Sequence, residues 1–463
     1  MNRVLNDKDV ERFSASFEKD PKNILAMNAV TQSDIRETAL NREVVNRIDH
    51  TYSHLIKTGK ATAQGQTGRC WMFAGLNILR IEAMKKLNLK EFELSQPYLM
   101  FWDKLEKANY FLENIIETRG EPLDGRLVMW LLAHIIPDAG QWDMFVNLVK
   151  KYGVVPKPVM PETKSSGASR FMNTCLTTKL REYARDLRAM HEGGASLEEM
   201  RKAKGCLLEE YYRMLRIHLG TPPSSFYWEW RDKDDVFHRH GEITPQEFFE
   251  EYIGFDLDSM ACLINAPTKD KPYKRMYTVQ YLNNVVGGQE VRYLNIDIET
   301  MKKAAGEMVK DGHAVWFGAD AGKMSHRDMG VFDPNIYDYE RVYGIEFKLD
   351  KAARLDYGHS RMTHAMVFTG VDIDEDGKPR KWRVENSWGD RVGDKGFYTM
   401  SDRWFEEYTY EVMIQKKYLS EELLKVLVTE PIVLKPWDPM GALARENLDC
   451  STPDYGWGRT SLP

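Results

Sequence analysis

Cys70 stands where a helix is predicted to begin, a position that favours a cysteine nucleophile. A loop containing glycines spans residues 64–70, and residues 71–87 carry apolar side chains at a helical period. A helix N-terminus stabilises negative charge through its free N–H groups and aligned peptide dipoles, so it favours a thiolate. Without other signals, a single cysteine beside Trp71 and Phe73 would be interpreted as a small buried hydrophobic residue.

Gln64 adds a group that is suited to acyl transfer. Its side-chain amide can reach towards the oxygen that becomes negative during the reaction, and the backbone N–H of Cys70 provides a second donor. Gly65 and Gly68 allow the loop between them to fold tightly. These residues predict a nucleophile with an oxyanion hole, which still requires a base.

A base and a group that could orient it occur far downstream, beside two strand-like segments. His364 stands at the start of the run 365–371, and Asn386 follows the run 381–385. If these strands are neighbours in one sheet, the Asn386 side-chain oxygen accepts from one ring nitrogen and the other nitrogen faces Cys70. His359 is the alternative base, but it lies in a polar loop.

The order Gln64, Cys70, His364 and Asn386, the last within Asn-Ser-Trp-Gly, resembles that of the papain-like cysteine peptidases. The resemblance implies that Gln64 is the oxyanion-hole glutamine and Cys70 the nucleophile. It implies equally that His364 is the general base and acid and that Asn386 orients it. Trp388 would then shield the His–Asn hydrogen bond from water.

Further motifs narrow the resemblance to the bleomycin hydrolase/aminopeptidase C branch of that family. They lie at residues 28–31, 94–99, 141–143, 315–318 and 436–444, and the match covers residues 5–444. His364 follows Cys70 by roughly 300 residues, whereas about 130–150 residues separate these groups in ordinary members, so a large insertion is expected. Secreted members have a disulfide-forming cysteine where this chain has Thr67, which fits a reducing compartment.

The resemblance implies a cysteine aminopeptidase that forms a thioester on Cys70, acts on peptides with a free N-terminus and could hydrolyse bleomycin-like amides. It implies a homohexamer whose active sites face an internal chamber, with no metal or organic cofactor. The C-terminal arm would end near Ala444 in its own cleft, with a carboxylate near the substrate amine. Gly140 and Trp388 are further candidate substrate contacts, together with Ala139, which replaces a glycine that is usual in the family.

The pattern of elements predicts an α+β fold with a papain-like two-lobed core. The sequence pattern is mainly helical up to about residue 250, including a capped helix at 197–219, and becomes strand-like from about residue 290. The predicted division is an N-terminal extension (1–62), a left lobe with the nucleophile helix (63–103), a mainly helical insertion for oligomerisation that includes part of the left lobe (104–250), a β-rich right lobe (251–430), the C-terminal arm (431–444) and an atypical tail (445–463).

Composition limits the class of protein. The 463 residues are 43% hydrophobic and 29% charged, as in a globular protein, and the net charge of −6 argues against a mainly nucleic-acid-binding or membrane-surface role. No run approaches the roughly 18 apolar residues of a membrane span, and the N-terminus has no apolar secretion core. The five cysteines are scattered and include no CxxC pair, so we expect a reduced, cytoplasmic protein without a zinc site.

The sequence also allows other functions. The extended tail could alter the arm and give an endopeptidase, or the chain could keep the fold as a DNA-binding or scaffold protein, because some relatives in this branch bind DNA. The tail itself is interpreted as a disordered or removable extension, which we expect the enzyme to trim.

Residues 372–377 resemble the start of a calcium loop, but Arg383 occupies the position that requires a glutamate, so a β-turn is predicted. His134 is expected in the packed core, and His238 and His240 on the surface.

Overall fold

The computed structural model describes residues 4–444, so Cys450 and the expectations for the tail lie outside the described residues. The N-terminal segment is helical and ends in a short strand. Its elements are α1 (Asp7–Glu18), α2 (Pro21–Val30), α3 (Ile35–Ala39), α4 (Arg42–Asn46) and β1 (His54–Leu55). Neither α1 nor α2 has a buried residue, and apolar side chains such as Phe13 and Phe17 are exposed.

The nucleophile helix lies at the centre of a group of helices. These are α5 (Cys70–Lys86), α6 (Gln96–Glu117), α7 (Arg126–Ala133) and α8 (Trp142–Tyr152). Nearly every residue of α5 as far as Ile81 is buried, because α6 and α8 pack on it and the large sheet covers it as well. Its buried residues include Asn77 and Arg80 besides the apolar ones, so the helix has no solvent-exposed polar face over this stretch.

The insertion continues with α9 (Lys164–Gly167), α10 (Arg170–Glu192) and α11 (Leu197–Leu219), the last with the predicted bounds and capping box. A hairpin of β2 (Phe226–Arg231) and β3 (Phe237–Ile243) follows, and α12 (Pro245–Phe248) runs into a π-helical turn. The sequence predicts strand-like runs from about residue 290 and a mainly helical region up to about 250, so the strands β2 and β3 are a correction to that region. At its start, β2 shows the alternation that a hairpin needs, with Phe226 and Trp228 buried and Tyr227 exposed.

A twelve-stranded, mostly antiparallel sheet forms the rest of the fold. Its strands besides β1 are β4 (Met260–Ile264), β5 (Arg275–Val279), β6 (Tyr293–Asn295), β7 (Val315–Ala319), β8 (Ser325–His326), β9 (Val331–Phe332), β10 (His364–Ile373), β11 (Pro379–Glu385), β12 (Phe397–Ser401), β13 (Thr409–Gln415) and β14 (Ile432–Leu434). β4 precedes the strand-like runs that the sequence indicates from about residue 290, because its five residues are all buried and such a run shows no alternation.

Short helices connect these strands. They are α13 (Ile298–Lys310), α14 (Tyr339–Tyr343), α15 (Lys351–Asp356), α16 (Asp402–Tyr408) and α17 (Glu421–Leu427), and a 3-10 helix at Pro439–Ala444 ends the described chain. The nucleophile helix packs on β7 and β10, so one end of the sheet meets the start of α5. Within residues 4–444, no helix is long and apolar enough to cross a membrane.

Gly75 allows α5 and α8 to approach closely. A Cβ atom at this position would lie 2.8 Å from ring carbons of Phe145. We therefore expect Gly75→Ala to lower the free energy of unfolding by about 1–3 kcal/mol, measured from urea denaturation, because an overpacked core must shift. Gly205→Ala on α11 is the control: a Cβ there meets nothing within 4 Å, so better helix propensity should leave stability unchanged or raise it. Equal effects of the two substitutions would contradict this account of Gly75.

Candidate active site

Cys70 is the first residue of α5 and is fully buried in the described chain. No side chain caps this helix, and the thiol lies at its N-terminus, the positive end of the aligned peptide dipoles. The backbone N–H of Ala365 on β10 also donates to the Cys70 sulfur over 3.4 Å. Both features favour negative charge on the sulfur, as a cysteine nucleophile requires.

His364 and Asn386 lie together at one end of the sheet. The strands β10 and β11 are antiparallel neighbours, as expected from the sequence, so the start of β10 lies beside the end of β11. The His364 Nε2 atom lies 2.9 Å from the Asn386 Oδ1 atom, and both residues are buried. Because an amide oxygen only accepts, Nε2 carries the proton, and Nδ1 is the nitrogen that can take a proton from the thiol.

The environment of His364 favours its neutral form while Cys70 is a neutral thiol. Burial lowers the pKa of His364 to about 4, and the hydrogen bond to Asn386 opposes this shift only in part. Formation of a Cys70 thiolate would add a nearby negative charge, which favours the imidazolium. The two proton equilibria are therefore coupled, and proton transfer between the two side chains creates the charged pair.

Trp388 covers the His364 ring. Their ring centroids are 4.9 Å apart with an interplanar angle of 26°, and Trp388 is half-buried. This stacking lies beside the His364–Asn386 hydrogen bond, which is the position that the resemblance implies for Trp388. The contact also limits rotation of the imidazole about its own axis.

Gln64 is held by a residue that the sequence did not single out. The Ser387 hydroxyl donates to Gln64 Oε1 over 2.6 Å, and the Gln64 backbone N–H donates to Ser387 O over 2.8 Å. The Gln64 Nε2 atom contacts the carbonyl of Thr67 in its own loop. The only sequence signal for Ser387 was its place directly after Asn386. We call residues 64–70 the nucleophile loop.

Removal of the Gln64 amide should slow the chemical step. We expect Gln64→Ala to lower kcat by about 10²–10³-fold, because one donor to the developing oxyanion is lost. The matched control is Gln66→Ala in the same loop, whose side chain is exposed and should leave kcat within about twofold. Steady-state kinetics on one peptide tests both, and a rise in KM with unchanged kcat for Gln64→Ala would contradict an oxyanion role.

Gly140 occupies a position that only glycine fits. A Cβ atom at Gly140 would lie 2.6 Å from the Trp71 ring, and the Trp71 indole N–H donates to the carbonyl of Asp138 over 2.7 Å. This contact brings the candidate substrate segment against the residue that follows Cys70. Ala139 is almost completely buried here, so the methyl group that replaces the usual glycine points into packed protein.

The end of the described chain packs beside this segment. Ala444 is buried and lines a cavity together with Lys107, Trp130 and His134. Lys107 also donates to the carbonyl of Ala139, so the arm and the candidate substrate segment share a neighbour. The expectation that His134 belongs to the packed core is wrong: α7 ends at Ala133, and the half-buried imidazole lies against Trp130 at the cavity wall, with the two rings tilted by 32°.

The rival residues lie elsewhere. His359 is exposed in the loop before β10, and Cys175 and Cys206 are exposed on α10 and α11. Cys262 is buried, and its thiol donates to Glu411 over 3.0 Å, a contact that maintains its proton. Burial first, and then the Glu411 charge, raise the pKa of Cys262 well above its usual value, so it is unsuited to act as a nucleophile.

The weaker sequence signals have structural roles. The calcium-like sequence forms the turn between β10 and β11, where the N–H of Gly377 donates to Asp374 O. His238 and His240 lie on the β2–β3 hairpin. Among residues 4–444, no group of acidic, histidine and cysteine side chains is arranged to hold a metal ion.

Comparison with known proteins agrees with this geometry. The Peptidase C1-like family matches residues 4–441. Aminopeptidase C of Listeria monocytogenes is 45% identical over 444 residues, which cover 96% of this chain and all of the relative. Human bleomycin hydrolase is 46% identical over 449 residues, covering 95% of this chain and 99% of the relative. The crystal structure of PepW from Lactobacillus rhamnosis matches with a TM-score of 0.94 and 48% identity, over 96% of this chain and all of that one. The chain therefore belongs to the Peptidase C1-like family, and its α+β fold is papain-like.

Proposed function

We propose that this protein is a cysteine aminopeptidase that removes N-terminal amino acids from peptides through a thioester on Cys70. The observation that carries the proposal is that the start of β10 meets Cys70 at the start of α5, where His364 is bonded to Asn386 and Gln64 is oriented by Ser387. Relatives named aminopeptidase C, which match along their whole length, support the exopeptidase activity.

In this proposal each group has its own step. His364 Nδ1 takes the Cys70 proton, and the thiolate attacks the carbonyl carbon of the first peptide bond. Gln64 Nε2 and the Cys70 backbone N–H stabilise the oxyanion, after which the imidazolium gives its proton to the leaving amine. Water activated by His364 then hydrolyses the thioester, which releases the amino acid and restores the thiol.

The C-terminal arm supports a preference for free N-termini. Two residues of the arm are held by other parts of the chain: the Arg126 guanidinium of α7 lies 3.7 Å above the Trp437 ring, and Asp438 forms an ion pair with the buried Lys271 over 3.3 Å. These contacts fix the chain that leads to the buried Ala444, next to the candidate substrate segment. A fixed arm on that side leaves little room for residues that precede the scissile bond, so it favours substrates that begin there.

We also propose self-association as a homohexamer and a location in the cytoplasm. The exposed apolar side chains of α1 and α2, including Val10, Phe13, Phe17 and Leu25, support an assembly that covers them. A reducing compartment suits an enzyme that needs Cys70 as a thiol. Light scattering coupled to size-exclusion chromatography should give the mass of a hexamer, and a monomer at micromolar concentration would contradict this proposal.

Product analysis tests the aminopeptidase proposal. A short peptide with a free N-terminus is incubated with the enzyme under reducing conditions, and the products are identified by mass spectrometry over time. We expect a ladder of products that lack successive N-terminal residues. Fragment pairs from an internal bond would instead support an endopeptidase, and they would indicate that the arm does not close the cleft. The Cys70→Ala variant measures the background of peptide cleavage that does not depend on this thiol.

A further inference from the structure

The backbone just before Gly140 is fixed by an unusual set of buried donors. Four consecutive carbonyls, those of residues 136–139, each accept a hydrogen bond from a buried side chain. The donors are Lys104 Nζ to Ile136 O (2.7 Å), Lys107 Nζ to Pro137 O (2.9 Å) and Ala139 O (2.7 Å), and Trp71 Nε1 to Asp138 O (2.7 Å). This segment is held by lysine side chains of α6 instead of by strand pairing.

Burial of two ammonium groups costs desolvation free energy, so it is an unfavourable way to fix a backbone segment. Lys104 and Lys107 are almost completely buried, and each needs a carboxylate partner, Asp138 and Asp103 respectively, both at 2.7 Å. Buried ion pairs contribute little net stability compared with apolar side chains of the same size, since desolvation opposes the attraction. The arrangement therefore indicates a requirement for geometry in this segment.

The Asp138 carboxylate extends this network to the nucleophile loop. It accepts from the backbone N–H of Gly68 over 3.3 Å, while Asn173 Nδ2 donates to it over 2.8 Å and the Ser169 hydroxyl also donates to it. Burial opposes ionisation, but the Lys104 ammonium and these donors outweigh it and hold the pKa of Asp138 well below its usual range. One carboxylate thus joins α6, α10 and the loop that ends at Cys70.

We propose that Asp138 is a positioning residue that sets the candidate substrate segment, Ala139–Gly140, in register with the nucleophile loop. Its side chain binds Gly68 and its backbone carbonyl binds Trp71, so residue 138 holds the chain on both sides of Cys70. This inference rests on the proposed peptidase function.

A double-mutant cycle with Gln64 tests the inference. Asp138→Asn should lower kcat/KM for a free peptide by about 10–100-fold, because the oxyanion donors move relative to the bound substrate. In the Gln64→Ala background the same substitution should cost less than about threefold, because residues that act through one loop are not additive. The rate of Cys70 alkylation by iodoacetamide, which needs no oxyanion hole, should stay within about twofold.

Controls separate positioning from general damage. Asp402→Asn removes the carboxylate of another buried lysine pair, Lys302–Asp402, and its effects should be additive with Gln64→Ala. If Asp138→Asn does not fold, Ser169→Ala removes one donor to the same carboxylate and should show the same non-additivity with a smaller loss. Equal losses in both Gln64 backgrounds, or a parallel fall in alkylation, would overturn the inference. A wild type that cleaves no peptide would instead count against the proposed function.

Discussion

Replacing Cys70 by alanine is expected to lower kcat/KM for a free peptide by at least about 10⁴-fold, because the sulfur that forms the thioester is removed. The cavity that the lost sulfur leaves is small, so the fold should persist. Steady-state hydrolysis measures the loss, and circular dichroism checks the fold.

Cys175→Ala and Cys206→Ala are the matched controls for Cys70. Both thiols are exposed on helices of the insertion, so their removal should change activity by less than about twofold. Substantial activity in Cys70→Ala, or a comparable loss in either control, would contradict the assignment of the nucleophile.

His364→Ala should reduce kcat by roughly 10³–10⁴-fold, because the thiol loses its base and the leaving amine loses its acid. The same substitution should slow alkylation of Cys70 at pH 6, since no imidazolium remains to stabilise the thiolate. Iodoacetamide kinetics at several pH values measures this second effect, which a change in substrate binding would not produce.

His359→Ala separates the two candidate bases. The exposed His359 side chain lies in the loop before β10, so this substitution should leave both kcat and alkylation within about twofold of the wild type. A large loss in His359→Ala together with an active His364→Ala would reverse the assignment.

Local patterns in the sequence predicted much of the site. The helix expected after the glycine-containing loop begins at Cys70, and the helix 197–219 has a capping box that the structure reproduces. The neighbouring positions of His364 and Asn386 follow from two strands paired in one sheet. Each of these features depends on a few residues close together in sequence, and such local patterns are reproduced in the folded structure.

Other features depend on contacts that no local pattern contains. The buried pair of Arg80 on α5 and Glu385 on β11 joins the nucleophile helix to the strand before Asn386. Lys104 and Lys107 are also buried on α6, although a lysine in a sequence normally indicates a solvent-exposed position. Their partners come from distant segments, so sequence alone did not indicate them.

The strand boundaries show a similar limit. β4 is a short apolar run that is buried throughout, and periodicity cannot distinguish such a run from part of a buried helix. The β2–β3 hairpin stands directly after a long helix, and its charged turn was interpreted as surface. Tertiary packing, not a local sequence pattern, determines that both segments form strands.

The most direct test of the account compares a short free peptide with its N-acetylated twin under reducing conditions. The measurement is kcat/KM for cleavage of the first peptide bond in each. If the fixed arm beside Ala444 limits the cleft to substrates that begin there, the free peptide should be cleaved and the acetylated twin should lose at least about 100-fold. Comparable cleavage of both peptides would contradict the aminopeptidase proposal and indicate an open cleft.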